Sequence, residues 1–419
     1  MHRFRQRRHR RHGPLPKPCR TGLQQRDSSA QVIRGGTLRQ FSRAVDGPVG
    51  QTPCAARRQN GQPGIGQLGA PIIGHLASLY VRRVHSLYIC RGGAVGVHVV
   101  VGANGATGTV LCRELLAAGH TVRAVSRSGR GAPSGVDEIA ADATDAVRIT
   151  EICAGATSLY HCALPPMGSW LPTYVDLTRS LITAAGNVGA RLVYADDTWM
   201  YGKVNGPMRE DSPVRPVAYK GALRALAAEM IESAYARGQT ESVVGRAAEL
   251  YGPRVESLLG AGVFAAGITG RKAIWPGDPD LPMTATFIGD FGKALADLGQ
   301  HPAVVGQVFH VPVAPAITGR QFIELIASQA GTVPKVGRLT PPMVALLKAV
   351  APIVREGAEL LYQFEQPFLV DDSKFRALTG RTATTWRAGI EQTITWYRAD
   401  PERIKYRLLP GKSRRNRVA

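Results

Sequence analysis

Acidic residues are almost missing from the first 95 positions of this 419-residue chain. Only Asp27 and Asp46 stand there against sixteen arginines and Lys17, so that stretch holds fifteen of the twenty-one net positive charges. A sustained apolar period is missing too, while Gly, Pro and Gln are abundant, and such a composition buries too little apolar surface to offset ordering entropy. Residues 1–95 are therefore expected to be a disordered basic segment, or residues read from GC-rich DNA upstream of the true start, as the excess of Arg over Lys suggests. Peptides from Gln31 to Arg57 in the native protein would refute a mistaken start. The run Arg3, Arg5, Arg7, Arg8, Arg10 and Arg11 could form an arm for nucleic acid or acidic lipid. The blander reading is preferred, and nucleic-acid binding is disfavoured.

Long hydrophobic runs are also lacking. The best stretch before residue 95, Leu68 to Val81, is interrupted by Pro71 and His75 and is too short to span a bilayer. No charged-apolar-small order follows Met1, so a cytoplasmic protein without a membrane partner is expected. The six cysteines form no C-x-x-C pair and have no metal-like spacing with His, which argues against a metal site and for reduced thiols. No internal repeat is apparent. At 419 residues the chain is long enough for two domains, and its 44% apolar content supports a large core in at least one.

The most informative segment runs from His98 to Gly108, an apolar stretch followed by Gly102, Gly105 and Gly108 at spacings of three. The first glycine permits a sharp strand-to-helix turn, the second lets the main chain approach phosphates, and the third lets the helix pack on its strand. Asn104, Ala106 and Thr107 fill the loop, where amides opening the helix can hold a diphosphate. Leu111, Leu115 and Ala118 continue at helical spacing, Gly119 stops the helix, and Thr121 to Ser126 reads as a second strand.

Downstream, strands are predicted at Glu138–Ala141, Thr157–Cys162, Arg191–Ala195, Glu241–Gly245 and Gln307–Val311. Helices are predicted at Asp145–Ala154, Tyr174–Gly186, Ala218–Arg237, Gly319–Ala330 and Pro342–Leu361. This alternation implies an α/β, Rossmann-type doubly wound parallel sheet with its ligand at the carboxyl ends of the strands. After Tyr251-Gly252-Pro253 the pattern loosens into a smaller C-terminal substrate lid. The expected division is a nucleotide-binding domain over 96–253, a substrate-binding part over 254–405 that partly returns to the sheet, and a basic tail over 406–419.

From residue 97 to about 400 the chain resembles the extended short-chain dehydrogenase/reductase superfamily, in its NAD-dependent epimerase/dehydratase branch. The resemblance rests on the glycine fingerprint, on Ala141-Asp142-Ala143-Thr144-Asp145, on Tyr160-His161-Cys162-Ala163 and on Val193-Tyr194 leading to Met200-Tyr201-Gly202. It continues through Arg246 leading to Tyr251-Gly252-Pro253, then Asp372-Ser373-Lys374-Phe375 and Trp396-Tyr397. It implies that Asp142 and the backbone of Ala143 bind adenine and that Ala163 lies against the nicotinamide ribose. Asp142 is alternatively a helix N-cap or turn residue. The resemblance also implies pairing into a homodimer through two long helices, an assembly the sequence itself leaves open.

An NAD site wants a carboxylate about twenty residues after the fingerprint, whereas an NADP site places Arg there. Here the segment is Ser126-Arg127-Ser128-Gly129-Arg130. NADP is favoured over NAD, because the planar guanidinium groups of Arg127 and Arg130 match phosphate geometry; an Arg-rich solvated loop is the alternative.

The family pattern has Ser or Thr four residues before the Tyr of its Tyr-Gly pair, then a Tyr-x-x-x-Lys helix. In this chain Asp197 occupies the first position, followed by Thr198, and four residues after Tyr219 stands Leu223, with Lys220 and Arg224 flanking the expected places. Two readings follow. In one, Thr198 or Asp197 holds the oxygen of a small-molecule substrate while Tyr219, aided by Lys220 or Arg224, moves the proton in NAD(P)-dependent hydride transfer to or from a carbonyl or secondary alcohol. In the other, the cofactor fold persists in a non-catalytic NADP(H)-binding regulator. An epimerase or dehydratase of a sugar nucleotide is the less favoured catalytic alternative.

Overall fold

The computed structural model describes residues 95–165, 169–170, 173–257, 259–350 and 352–404. The expectations for residues 1–94 and for the tail over 406–419 lie outside these described residues.

Strand β1 (Val97–Val101) leads through the glycine loop into helix α1 (Ala106–Ala117), followed by β2 (Thr121–Ser126) and β3 (Asp137–Ala140). Helix α2 (Ala146–Ile152), β4 (Ala156–His161), α3 (Thr173–Val188), β5 (Arg191–Asp197), α4 (Tyr219–Ala236) and β6 (Ser242–Ala247) continue the alternation. Then come β7 (Glu249–Tyr251), α5 (Ala261–Thr269), β8 (Ala273–Trp275), β9 (Pro282–Met283), β10 (Ala285–Phe287), α6 (Ile288–Gln300) and β11 (Gln307–His310). The chain closes with β12 (Ile317–Thr318), α7 (Gly319–Ala330), β13 (Val336–Arg338), α8 (Pro341–Val350), α9 (Pro352–Gly357), α10 (Ser373–Thr379) and α11 (Trp386–Arg398).

Seven strands form one sheet in the order β3-β2-β1-β4-β5-β6-β11, every neighbouring pair parallel. The strand order reverses between β1 and β4, which opens a crevice at their carboxyl ends. Alternation of side chains assigns the two faces. Val100 packs with Leu111 and Leu115 of α1 and Leu295 and Leu298 of α6, while Val99 and Val101 pack with Ile149, Leu181 and Ile231 of α2, α3 and α4. Each fully buried Leu or Val contributes roughly 1.5–3 kcal/mol through the water it releases. Helices α1 and α6 cross so closely that a Cβ on Gly292 would lie 2.4 Å from Val110 Cγ1 and 3.0 Å from the Leu111 amide.

Beyond the sheet, paired short strands β8/β13 and β9/β12 and helices α5, α7 and α11 surround an aromatic core. Tyr251 stacks on Trp386 at 5.2 Å, and Phe322 meets Tyr251, Phe264 and Trp386 edge-on. Where one helix is predicted over Pro342–Leu361, helix is described at Pro341–Val350 and Pro352–Gly357, with Ala351 outside the described residues, and it gives way to a 3₁₀ segment at Ala358–Phe364. None of the described helices is long and apolar enough to cross a membrane.

Candidate active site

At the end of β1 the chain turns at Gly102, whose φ of +87° suits a residue without a side chain. Its amide donates to Val125 O of β2 at 2.9 Å, and a Cβ there would meet Ala163 N and Cys162 C at 2.7 Å. The loop is thus wedged between the ends of β2 and β4. At Gly108 a Cβ would sit 2.3 Å from Gly102 O, so this glycine is what lets α1 approach its strand. Gly105 occupies the N-cap and supplies no side-chain acceptor. The amides of Ala106, Thr107 and Gly108 therefore have no side-chain cap, and Asn104 and Gly105 are exposed. A dinucleotide diphosphate fits this cradle, because its oxygens would accept from amides left without intrahelical partners and be favoured by the helix dipole.

The adenosine end of the groove carries the other predicted residues. Arg127 and Arg130 are exposed after β2, and Arg130 O accepts from Asn104 Nδ2 at 3.4 Å. Asp142 Oδ1 accepts from the Thr144 amide at 2.9 Å and its hydroxyl at 2.8 Å, bonds that hold its carboxyl below the usual range, with a smaller contribution from Arg127. Asp145, rather than Asp142, caps α2, accepting from the amides of Val147 and Arg148. Ala143 and Ala163 are half-buried.

The carboxyl ends of β5 and β6 hold a buried polar cluster. Asp196 and Arg246 are register partners on these strands, and Arg246 Nε donates to Asp196 Oδ2 at 3.0 Å while its Nη1 donates to Tyr201 OH at 2.7 Å. The Tyr201 hydroxyl also bonds His310 Nε2 at 2.8 Å. From α4, Arg224 reaches inward, with Nη1 donating to Tyr174 OH at 2.6 Å and Tyr194 OH at 3.2 Å. Its Nε lies 2.9 Å from Asp197 Oδ2, an ion-pair contact whose angle is not that of a hydrogen bond. Asp197 Oδ1 accepts from the Trp199 amide at 3.0 Å. Burial raises the Asp197 carboxyl to about 6 against the opposing pull of Arg224. Burial, then Arg224, pushes the His161 imidazole down to about 3, and its Nδ1 has no partner among the described residues.

Lys220 lies one turn before Arg224 on the same inward face, its Nζ 5.7 Å from the Trp170 ring centre and 3.6 Å from Glu359 Oε1. Thr198 is buried beside them. Of the predicted residues, the structure thus gathers Asp197, Thr198, Lys220 and Arg224. Tyr219 is not gathered: it is 47% exposed at the start of α4, and desolvation and Glu359 raise its phenol instead of easing its ionisation. Tyr174, Tyr194, His310 and Glu359 were missed, and their only signal was polar tips within otherwise apolar segments.

A separate cavity of about 340 Å³ lies between α6, α10 and the 380–384 loop. No residue of the glycine loop or of the polar cluster lines it; Asp290 there accepts from Thr384 and Arg381 donates to Asp297.

The family model described as "NAD dependent epimerase/dehydratase family" matches residues 98–291. A comparison with curated protein sequences gives no match. Among solved structures, the epimerase Mth375 of Methanothermobacter thermautotrophicus is 15% identical with a TM-score of 0.63, over 74% of this chain and 94% of that one. MoeE5, solved with UDP-glucuronic acid and NAD, is 24% identical with a TM-score of 0.60, over 73% of this chain and 99% of its own. The UDP-glucose 4-epimerase of Thermus thermophilus, solved with NAD, is 20% identical with a TM-score of 0.59, over 72% of this chain and 99% of that one. Strand order and family model agree that residues 98–291 carry a domain matching the NAD dependent epimerase/dehydratase family on a doubly wound parallel sheet.

Proposed function

We propose that this protein is a cytoplasmic oxidoreductase that uses NADP(H) to interconvert a carbonyl and a secondary alcohol on a small molecule. The observation that carries this reading is the uncapped glycine cradle beside a β2 end that bears Arg127 and Arg130 and no carboxylate. When bound, the nicotinamide cofactor supplies or accepts the hydride. The chain's own part is to hold the substrate oxygen and handle its proton. Asp197, held near 6 by burial, changes its protonation close to working pH and can hold or release a proton at a carboxyl oxygen. Thr198, next to it in the chain, and Lys220, one turn before Arg224 on α4, are the donors suited to that oxygen. Trp170 and Trp199 flank Arg224 and give this end of the groove an apolar wall.

A second reading is favoured by one observation, the Asp197–Arg224 ion pair, in which Asp197 stands at the position of the family pattern's hydroxyl and Arg224 one residue past that of its Lys. It makes the protein a non-catalytic NADP(H) binder. A sugar nucleotide is the substrate class to test first, since MoeE5 was solved with one.

Titration with NADPH and NADH, followed by turnover on a panel of carbonyls and sugar nucleotides, tests both readings. NADPH is expected to bind at least about tenfold more tightly, one strong charge-assisted contact to the 2′-phosphate being enough, and Arg127→Ala with Arg130→Ala should remove that preference. Equal affinity refutes the NADP assignment. Turnover lost in Lys220→Met and kept in Tyr219→Phe supports the proton-handling set proposed above, whereas tight binding without turnover favours the second reading.

A further inference from the structure

Arg254 is the one non-glycine residue with positive φ, +67°, among the described residues. It follows Gly252 and Pro253 in the connection from β7 toward α5, a segment that could have turned at lower cost on another glycine. Backbone held in this region persists where surrounding structure fixes it for a purpose. Here the consequence is visible in the side chain. Arg254 Nη2 donates to Asn104 O at 2.9 Å, across 150 residues of sequence, which puts the guanidinium beside the residue that immediately precedes the N-cap Gly105.

No carboxylate among the described residues pairs with it. Partial desolvation, and then the like charges of Arg113 and Arg403, disfavour its protonated form, although the residue keeps an open flank. A guanidinium has five N–H donors in a planar fork. One is used on the Asn104 carbonyl, and the rest are left beside a cradle of amides open to an anion.

From this placement we infer that Arg254 is a diphosphate-binding residue, which closes over the phosphates held by the glycine loop and ties the β7–α5 connection to the cofactor. The inference rests on the dinucleotide-binding reading and adds a residue to it from the far half of the chain. It also gives the strained backbone a purpose, since the left-handed turn is what brings the side chain back to the loop.

Calorimetry with NADPH, ADP and adenosine on the full chain tests it, together with Arg254→Ala, Arg254→Lys and Arg254→Gly. Loss of a charge-assisted bond to phosphate should weaken NADPH and ADP by roughly ten- to a hundredfold in Arg254→Ala and leave adenosine unchanged. Arg254→Lys should recover part of the loss as a point charge without the fork. Arg254→Gly should weaken ADP equally while keeping or raising the melting temperature, because glycine relieves the φ of +67°. That combination separates ligand binding from a structural role. ADP affinity unchanged in Arg254→Ala overturns the inference alone, as does an equal loss for adenosine. Wild-type protein that binds neither ADP nor NADPH overturns the inference and the cofactor reading together.

Discussion

Replacing Arg224 by Met would remove the cation at the centre of the cluster while keeping much of its aliphatic volume. Arg224 is 5% exposed, and its guanidinium contacts Tyr174 OH at 2.6 Å, Asp197 Oδ2 at 2.9 Å and Asp196 Oδ1 at 3.7 Å. Without it, Asp197 keeps only the Trp199 amide, and Tyr174 and Tyr194 keep only each other. Breaking a buried pair from one side costs about 3–5 kcal/mol, because the remaining charge stays desolvated. Arg246 still neutralises Asp196, so the lower part of that range is expected, about 3 kcal/mol. For a chain of this size that is a fall of roughly 3–5 °C in melting temperature. Asp197→Asn in the Arg224→Met background should recover part of it, since a neutral amide tolerates burial better than a lone carboxylate. Thermal melts followed by circular dichroism on the two single variants and the double variant measure the coupling directly. A loss below about 1 kcal/mol in Arg224→Met, or a double variant that merely sums the two single losses, would refute a strongly coupled pair.

Asp197 should also make stability depend on pH. Its folded carboxyl is raised to about 6, above the ordinary value near 3.9, so the folded state holds the proton more tightly. The contribution is complete below pH ~4, is lost as pH rises toward about 6, and amounts to roughly 3 kcal/mol. Chemical denaturation from pH 4 to 7 should show this decline in wild type and a flatter profile in Asp197→Asn; parallel profiles would remove Asp197 as its source. At the cradle, Gly102→Ala adds a Cβ 2.7 Å from Ala163 N at a φ of +87°. It should abolish NADPH binding and lower the melting temperature by several degrees, and intact binding would contradict the steric role given to this glycine.

Much of the nucleotide-binding half was legible because its signals are local. Gly102, Gly105 and Gly108 answer to backbone sterics within a few residues of each, and the helix over Gly319–Ala330 has the predicted bounds. The buried polar cluster was less readable. Lys220 and Arg224 look like ordinary helix cations, and only the packing of α4 on α3 and β5 turns both inward and leaves Tyr219 outside.

By itself, the amino-acid order determined the alternation of strands and helices, the turn at Gly102 and the carboxylate-free end of β2, since each follows from periodicity or excluded volume along neighbouring residues. The tertiary structure decided which distant polar tips meet. Asp196 faces Arg246 because β5 and β6 are parallel in one register, and Arg254 reaches Asn104 because a left-handed turn returns the chain to the glycine loop. Contacts of that kind depend on the positions of whole elements, which no short window of sequence encodes.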